Sequence, residues 1–203
     1  MAVSRCNRGM NEMLPLLAYC ALMSGTPGPN NMMLVANGAH YGYRRTLPAI
    51  LGINTGGAVQ TFVTCMGLGA LFVAWPVLHE ALKLAGTLYM LWLAWKLAVA
   101  PAASDRPPER LKFSQAALFQ AVNPKSWVKA VTIASVFMPT QWSVASGALF
   151  VSAVGAVIGF PCISMWALFG VGIGRFLSSP ARRRVFNTMM AVSLAVLALL
   201  LLR

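Results

Sequence analysis

The sequence predicts an all-α integral membrane protein, and three observations support that prediction. Hydrophobic residues make up 58% of the 203 residues and charged residues only 10%, whereas an average soluble domain has about 25% charged residues. The mean hydropathy is +0.69. Residues 46–79 and 130–174 contain no charged side chain. Because a membrane-spanning helix needs about 20 apolar residues, soluble, secreted and disordered proteins are excluded.

Apolar stretches between charged or Pro/Gly-rich breaks predict six transmembrane helices in two inverted three-helix repeats. The expected helices are Leu14–Ala39, Thr46–Trp75, Val77–Val99, Phe113–Met138, Trp142–Ile173 and Val185–Leu202. The expected organisation is an N-terminal tail (1–12), a first repeat (13–99), a cytoplasmic linker (100–112) and a second repeat (113–203). No cleavage site follows the first apolar run, so it is expected to remain as a membrane helix.

Basic residues form short clusters between the apolar stretches, although the net charge is +12. This arrangement predicts lipid bilayer rather than nucleic acid as the partner. Most of the basic residues fall in the first, third and fifth loops, and cytoplasmic loops are rich in Lys and Arg. Those three loops are therefore predicted to be cytoplasmic, with both termini outside.

Features of enzymes and of metal sites are absent from the sequence. The cysteines (Cys6, Cys20, Cys65 and Cys162) are widely spaced and form no CxxC pair, which argues against a soft-metal or thiol-redox site. No phosphate-binding GxxxxGK[ST] motif or GxSxG elbow occurs. The four acidic residues lie near helix ends or in loops. We therefore expect no catalytic residue, no cofactor, no bound metal and no enzymatic activity.

Two interruptions of the apolar pattern are the candidate binding elements. The first lies inside the first helix and consists of Pro27, Gly28, Pro29, Asn30 and Asn31. Two prolines and a glycine cannot continue a regular helix, and non-helical backbone at membrane depth must line a cavity or be buried in protein. The following helix N-terminus suits an anionic group such as a carboxylate. The alternative is a loop at the membrane face.

The second interruption is Asn123, Pro124 and Lys125, near the start of the fourth helix, with Lys129 one turn later. Lys125 and Lys129 share a helix face. Cations within a membrane are costly and usually functional, so Lys125 is a candidate partner for a substrate carboxylate. The alternative is that both lysines extend to the membrane interface.

The two halves of the chain resemble each other, since each has an Asn/Pro break followed by a helix with two small residues four apart. These pairs are Gly52 with Gly56 and Gly155 with Gly159. Interrupted helices at matching positions of inverted repeats mark the binding site of many transporters. The glycines are expected to allow close helix contacts, either within the chain or in a homodimer.

Together, these residues resemble the LysE/RhtB family of amino-acid exporters. The resemblance rests on Pro27–Asn31, on Gly42 with Arg44, on Gly52, on Ala85-Gly86 with Tyr89, and on Phe119–Lys125. It covers roughly residues 13–203. It implies a six-helix exporter of amino acids in a bacterial inner membrane, driven by an ion gradient and working by alternating access.

The sequence departs from the family at Gly57, since family members often carry an acidic residue near this position. Without that acid, the site of a coupling proton is not evident, and a cationic side chain would lack a partner. Neutral amino acids or related small metabolites are therefore the expected substrates. Asn54, Thr55 and Gln60 are candidate polar contacts, or else hydrogen-bond between helices. A channel, an exporter of metals, thiols or other non-amino-acid solutes, and a scaffold subunit are the alternatives.

Overall fold

The structure of the protein is a computed structural model that describes residues 2–68, 110–174 and 179–200, with scattered helical positions between 74 and 99. Its helices are α1 (Ala2–Gly25), α2 (Pro29–Val63), α3 (Phe113–Val122), α4 (Pro124–Val136), α5 (Val144–Gly174) and α6 (Pro180–Leu200), and a π-helical turn (Thr64–Leu68) extends α2. Within the described residues all regular structure is helical, as predicted. Of the 23 residues of the third predicted helix, 11 lie outside the described residues, including Ala85, Gly86 and Tyr89, as do linker residues 100–109 and residues 201–203.

The first predicted break separates α1 from α2. Helix α1 ends at Gly25 and α2 begins at Pro29, a position where proline is favoured because the first helical N–H has no partner inside the helix. Helix α1 begins at Ala2, so the backbone of residues 2–12, the predicted N-terminal tail, is helical.

Helix α2 contains the boundary expected between the first two spans. Its 35 residues extend about 52 Å at 1.5 Å per residue, well beyond the roughly 30 Å of a bilayer core. Gly42 interrupts it with φ 75° and ψ 169°, a left-handed backbone conformation that glycine adopts without steric cost. The bend divides α2 into a short segment after the first break and a longer second segment.

The second break divides the fourth predicted helix into α3 and α4. We expected Asn123 and Pro124 near the start of that helix, but the break comes after the ten residues of α3. Pro124 has no N–H to donate and disfavours helical geometry in the preceding residue, and Asn123 has φ −84° and ψ 106°. Both predicted breaks are therefore interruptions with a helix on each side.

Glycines bring the backbones of α2 and α5 into direct contact. A Cβ atom at Gly38 would collide with the carbonyl oxygen of Ala167, and one at Gly170 would collide with that of Val35. Gly174 repeats the arrangement one turn later. The α2–α5 pair has the most extensive contacts among the described helices, and small residues permit this close approach.

The four glycines predicted to pack helices divide into two pairs with different surroundings. Gly52 and Gly56 lie against the backbone of α3, where a Cβ at Gly56 would be 2.7 Å from the carbonyl oxygen of Ala117. This contact is within the chain, so these glycines are not available as a homodimer surface. Gly155 and Gly159 differ from the expectation, because their nearest neighbours are side-chain atoms at 3.2 Å or more.

Two apolar clusters flank the region between the breaks. The first cluster, which joins α2, α3 and α5, contains Leu34, Ala49, Ile50, Ile53, Ala116, Ile163 and Ala167. The second cluster, which joins α1, α4 and α5 with the π-helical turn, contains Leu16, Cys20, Cys65, Ile133, Ala148 and Val151. Burial of apolar side chains on both sides holds the two breaks in fixed positions.

Two of the described helices are long and apolar enough to cross a membrane. They are Pro29–Leu68, which includes the π-helical turn, and Val144–Gly174. The part of α1 from Met13 to Gly25 is apolar but shorter, as expected for one half of an interrupted span.

The glycine contact between α2 and α5 predicts a position-specific loss of stability. Gly170→Ala should lower the midpoint of thermal unfolding in detergent, because overpacking of a tight contact costs about 1–3 kcal/mol. Gly172→Ala is the matched control, since a Cβ at Gly172 meets no atom within 4 Å. Equal unfolding midpoints for the two variants, measured by fluorescence-detected size exclusion, would contradict this account of the packing.

Candidate functional site

The first break is held by side-chain hydrogen bonds to carbonyl groups in the last turn of α1 and in the break itself. Asn31 Nδ2 donates to the carbonyl oxygens of Ser24 and Thr26, at 2.9 and 2.7 Å. Lys125 Nζ donates to the carbonyl oxygens of Thr26 and Pro27, at 2.8 and 3.0 Å. Because unpaired carbonyls are costly in a membrane, these side chains stabilise the break itself.

Lys125 therefore connects the two breaks directly. Its ammonium group also donates to Thr26 Oγ1 at 2.8 Å, so its three protons have three acceptors from the first break. None of these acceptors is a carboxylate, and the positive charge of Lys125 is not neutralised by them. The expectation that Lys125 extends to the membrane interface does not fit these contacts.

A pair of amide side chains forms the second connection between the breaks. Asn30 Nδ2 donates to Gln120 Oε1 at 3.0 Å, and Gln120 Nε2 donates back to Asn30 Oδ1 at 3.1 Å. Gln60 Nε2 donates to the Gln120 carbonyl oxygen at 3.1 Å. Gln60 thus serves helix–helix hydrogen bonding, which was one of the two roles the sequence left open for it.

The backbone groups at the second break form hydrogen bonds mostly with side chains of residues 123–127. Asn123 Oδ1 accepts from the backbone N–H of Lys125 at 3.1 Å, which is a standard N-cap contact for α4. Ser126 Oγ donates to the carbonyl oxygens of Gln120 and Asn123. Trp127 Nε1 donates to the Ala121 carbonyl oxygen at 2.8 Å. Side chains thus replace the helical hydrogen bonds that Pro124 prevents.

A cavity of about 70 Å³ lies where the two breaks meet α2 and α5. A single water needs roughly 10–15 Å³, so the cavity has room for a small polar solute. Its polar lining side chains are those of Ser24, Asn30, Asn31, Asn54, Thr61, Gln120, Asn123, Lys125, Ser126, Lys129 and Ser152.

Two ammonium groups, those of Lys125 and Lys129, give the cavity its charge. None of the described residues that line it is Asp or Glu. Lys129 Nζ donates to Ser24 Oγ at 3.1 Å, and within the described residues this is its one hydrogen bond. Two of its three donors therefore remain for a bound solute. Such a cavity favours an anionic group.

Most of the predicted site residues line this cavity. They are Gly28, Pro29, Asn30, Asn31, Asn54, Asn123 and Lys125. Pro27, Pro124, Gln60 and Thr55 are not among the lining residues: Pro27 and Thr55 are exposed, while Pro124 and Gln60 are buried. The predicted helix-packing residues Gly155 and Gly159 also line the cavity, which explains their lack of close backbone neighbours.

Several lining residues were not predicted as site residues, and Lys129 is the most important of them. Its position four residues after Lys125 was the available signal. Ser24, Gln120 and Ser152 gave no comparable signal, because isolated polar residues in apolar helices are common and their neighbours depend on tertiary packing.

Comparison with known proteins places the chain in a family of membrane transporters. The family model described as LysE type translocator matches residues 21–203. The cysteine/O-acetylserine efflux protein of Salmonella paratyphi A is 32% identical over 154 residues, which cover 75% of this chain and 78% of that protein. The protein of the same description from Escherichia coli K12 is 31% identical over the same shares. No solved structure gives a significant match. The chain, an all-α membrane protein, thus belongs to the LysE type translocator family.

Proposed function

We propose that the protein exports neutral amino acids or closely related small metabolites by alternating access and has no enzymatic activity. The observation that carries this proposal is the meeting of two interrupted helices at one cavity, with two ammonium groups and no carboxylate among its described lining residues. Interrupted helices that meet at a central cavity are typical of secondary transporters. Relatives described as cysteine/O-acetylserine efflux proteins support amino acids as the substrate class.

The substrate carboxylate binds to Lys129 in this proposal. Lys129 has two donors without partners among the described residues, whereas Lys125 uses all three on Thr26 and Pro27. The charge of Lys125 still attracts the carboxylate, because the first break does not neutralise it. The N-terminus of α2 adds its dipole, and Gly28 supplies no side-chain cap there. This assigns to Lys129 the role that the sequence suggested for Lys125.

The substrate ammonium group requires an oxygen acceptor on another wall of the cavity. Asn54 lies on α2, and its Oδ1 is directed toward α5, 3.2 Å from the position of a Cβ at Gly159. The Asn54 side chain forms no hydrogen bond with any of the described residues. An amide oxygen accepts from an ammonium group without adding charge, so Asn54 suits a zwitterionic amino acid.

Charge also explains why cationic amino acids are excluded from the proposed substrates. A second positive group on the substrate would lie near Lys125 and Lys129 with no acidic partner. Gly57 lines the cavity and has open space around it, since a Cβ there meets no atom within 4 Å. The cavity wall is therefore open at the position near which other family members often carry an acidic residue.

The proposal also includes the membrane arrangement that the sequence predicts. We place the protein in the bacterial inner membrane as a multi-pass protein, with residues 13–99 and 113–203 as its two repeats and 100–112 as a cytoplasmic linker. If a proton drives export, Lys125 and Lys129 are the titratable groups of the cavity wall on which it could act. A homodimer would need a surface other than Gly52 and Gly56.

Removing the Lys129 charge should abolish most transport. Lys129→Met is expected to lower export of neutral amino acids by roughly tenfold to a hundredfold, because a hydrogen bond to a charged group contributes about 1.5–3 kcal/mol. Export would be measured as counterflow in proteoliposomes. Lys112→Met is the matched control, since Lys112 is exposed and outside the cavity. Wild-type rates in Lys129→Met would refute the proposed carboxylate site.

Adding the missing acid should change the charge selectivity. Gly57→Asp is expected to raise export of 2,4-diaminobutyrate relative to 2-aminobutyrate by about tenfold or more, because one ion pair in a low-dielectric site contributes several kcal/mol. The neutral isostere Gly57→Asn controls for size. A similar ratio in both variants would mean that charge at this wall does not determine which amino acids are exported.

A further inference from the structure

One buried hydroxyl group of the cavity lacks a hydrogen-bond partner. Ser152 on α5 is 5% exposed, its Oγ has no hydrogen-bond partner among the described residues, and the residue lines the cavity. Buried polar groups in native proteins are nearly always paired, and leaving one unpaired costs about 1–3 kcal/mol. A ligand in the cavity would supply the missing partner.

The other hydroxyl side chains of the cavity wall all have partners. Thr61 Oγ1 donates to the Gly57 carbonyl oxygen at 2.9 Å, which is the usual solution for a hydroxyl inside a helix. Ser126 Oγ donates to two carbonyl oxygens, and Ser24 Oγ accepts from Lys129. Ser152 is the exception among the described lining residues.

The surface beside Ser152 has room for a ligand side chain. Ser152, Gly155 and Gly159 lie on one face of α5 by their spacing of three and four residues, and all three line the cavity. A Cβ at Gly155 would meet only Cys20 Sγ, at 3.9 Å. The space beside Ser152 is therefore open at Gly155, whereas at Gly159 a Cβ would lie 3.2 Å from Asn54 Oδ1 and 3.4 Å from Ser24 Oγ, which are polar atoms of the opposite wall.

The distance from the proposed carboxylate site limits the length of that side chain. A Cβ at Gly159 would lie 3.9 Å from Lys129 Nζ, so Gly159 marks the level of Lys129 along α5. Ser152 is seven residues away, about 10 Å along the helix axis. Two hydrogen bonds of about 3 Å each leave some 4 Å between the carboxylate and the group that Ser152 contacts. This separation fits a polar atom at the γ or δ position of an amino acid.

We propose that Ser152 hydrogen-bonds to the side chain of the substrate and that the protein selects amino acids with short, uncharged, polar side chains over their apolar isosteres. This inference rests on the proposed export of amino acids. Ser152 is then a specificity-determining residue, because its unpaired hydroxyl disfavours a substrate that leaves it unsatisfied.

Competition between two isosteric amino acids tests the inference. Serine and 2-aminobutyrate differ by a hydroxyl in place of a methyl group, and their export from the same proteoliposomes gives a rate ratio. We expect wild type to favour serine about tenfold, as one neutral hydrogen bond of up to 1.5 kcal/mol allows, and Ser152→Ala to bring the ratio close to one. Ser152→Thr keeps the hydroxyl and should keep a preference for serine.

The matched control is Ser164→Ala, on the same helix. Ser164 is 6% exposed, its Oγ accepts from Tyr43 Oη at 3.2 Å, and it does not line the cavity, so this variant should keep the wild-type ratio. A wild-type ratio near one, or an unchanged ratio in Ser152→Ala, would overturn the role of Ser152. If wild type exports neither amino acid, the proposed function itself is wrong and the inference fails with it.

Discussion

The hydrogen bonds between Lys125 and the carbonyl groups of Thr26 and Pro27 are the contacts on which the centre of the structure depends. Two interrupted helices in an apolar environment expose backbone groups that water cannot satisfy. An ammonium group from one break satisfies carbonyls of the other, and the Asn30–Gln120 pair adds a second link. Each break therefore stabilises the other, and the cavity is a consequence of their meeting.

The use of a lysine to stabilise the first break also contributes to the charge of the cavity. Lysine brings donors for carbonyl groups but also a positive charge, and no described lining residue balances the charges of Lys125 and Lys129. A bound carboxylate would supply that balance, so the charges of the cavity wall favour an anionic group. A lysine that stabilises the breaks thus also supplies part of the charge on which the proposed substrate binding depends.

Helix α5 packs against α2 near its C-terminus and lines the cavity with its middle part. Near its C-terminus, Gly170 and Gly174 lie against the α2 backbone, where added atoms would collide. In the middle of the helix, Gly155 and Gly159 line the cavity beside Ser152, and their nearest neighbours are side-chain atoms of other helices. Glycine allows both arrangements because it has no side chain, and only the neighbouring helix decides whether that space is filled by backbone or by a ligand.

Sequence alone predicted the helical membrane fold, the family, both breaks and seven of the 21 residues that line the cavity, because long uncharged stretches and proline constraints act locally along the chain. Tertiary structure decided which groups meet. Among the described residues, Lys129 rather than Lys125 has donors without a partner. Gln60 joins two helices, and Gly155 lines the cavity without a close backbone contact. These outcomes depend on distances between residues some 60 to 135 positions apart, and local patterns carry no information on such distances. The unpaired hydroxyl of Ser152 is likewise a property of packing, which the local sequence does not show.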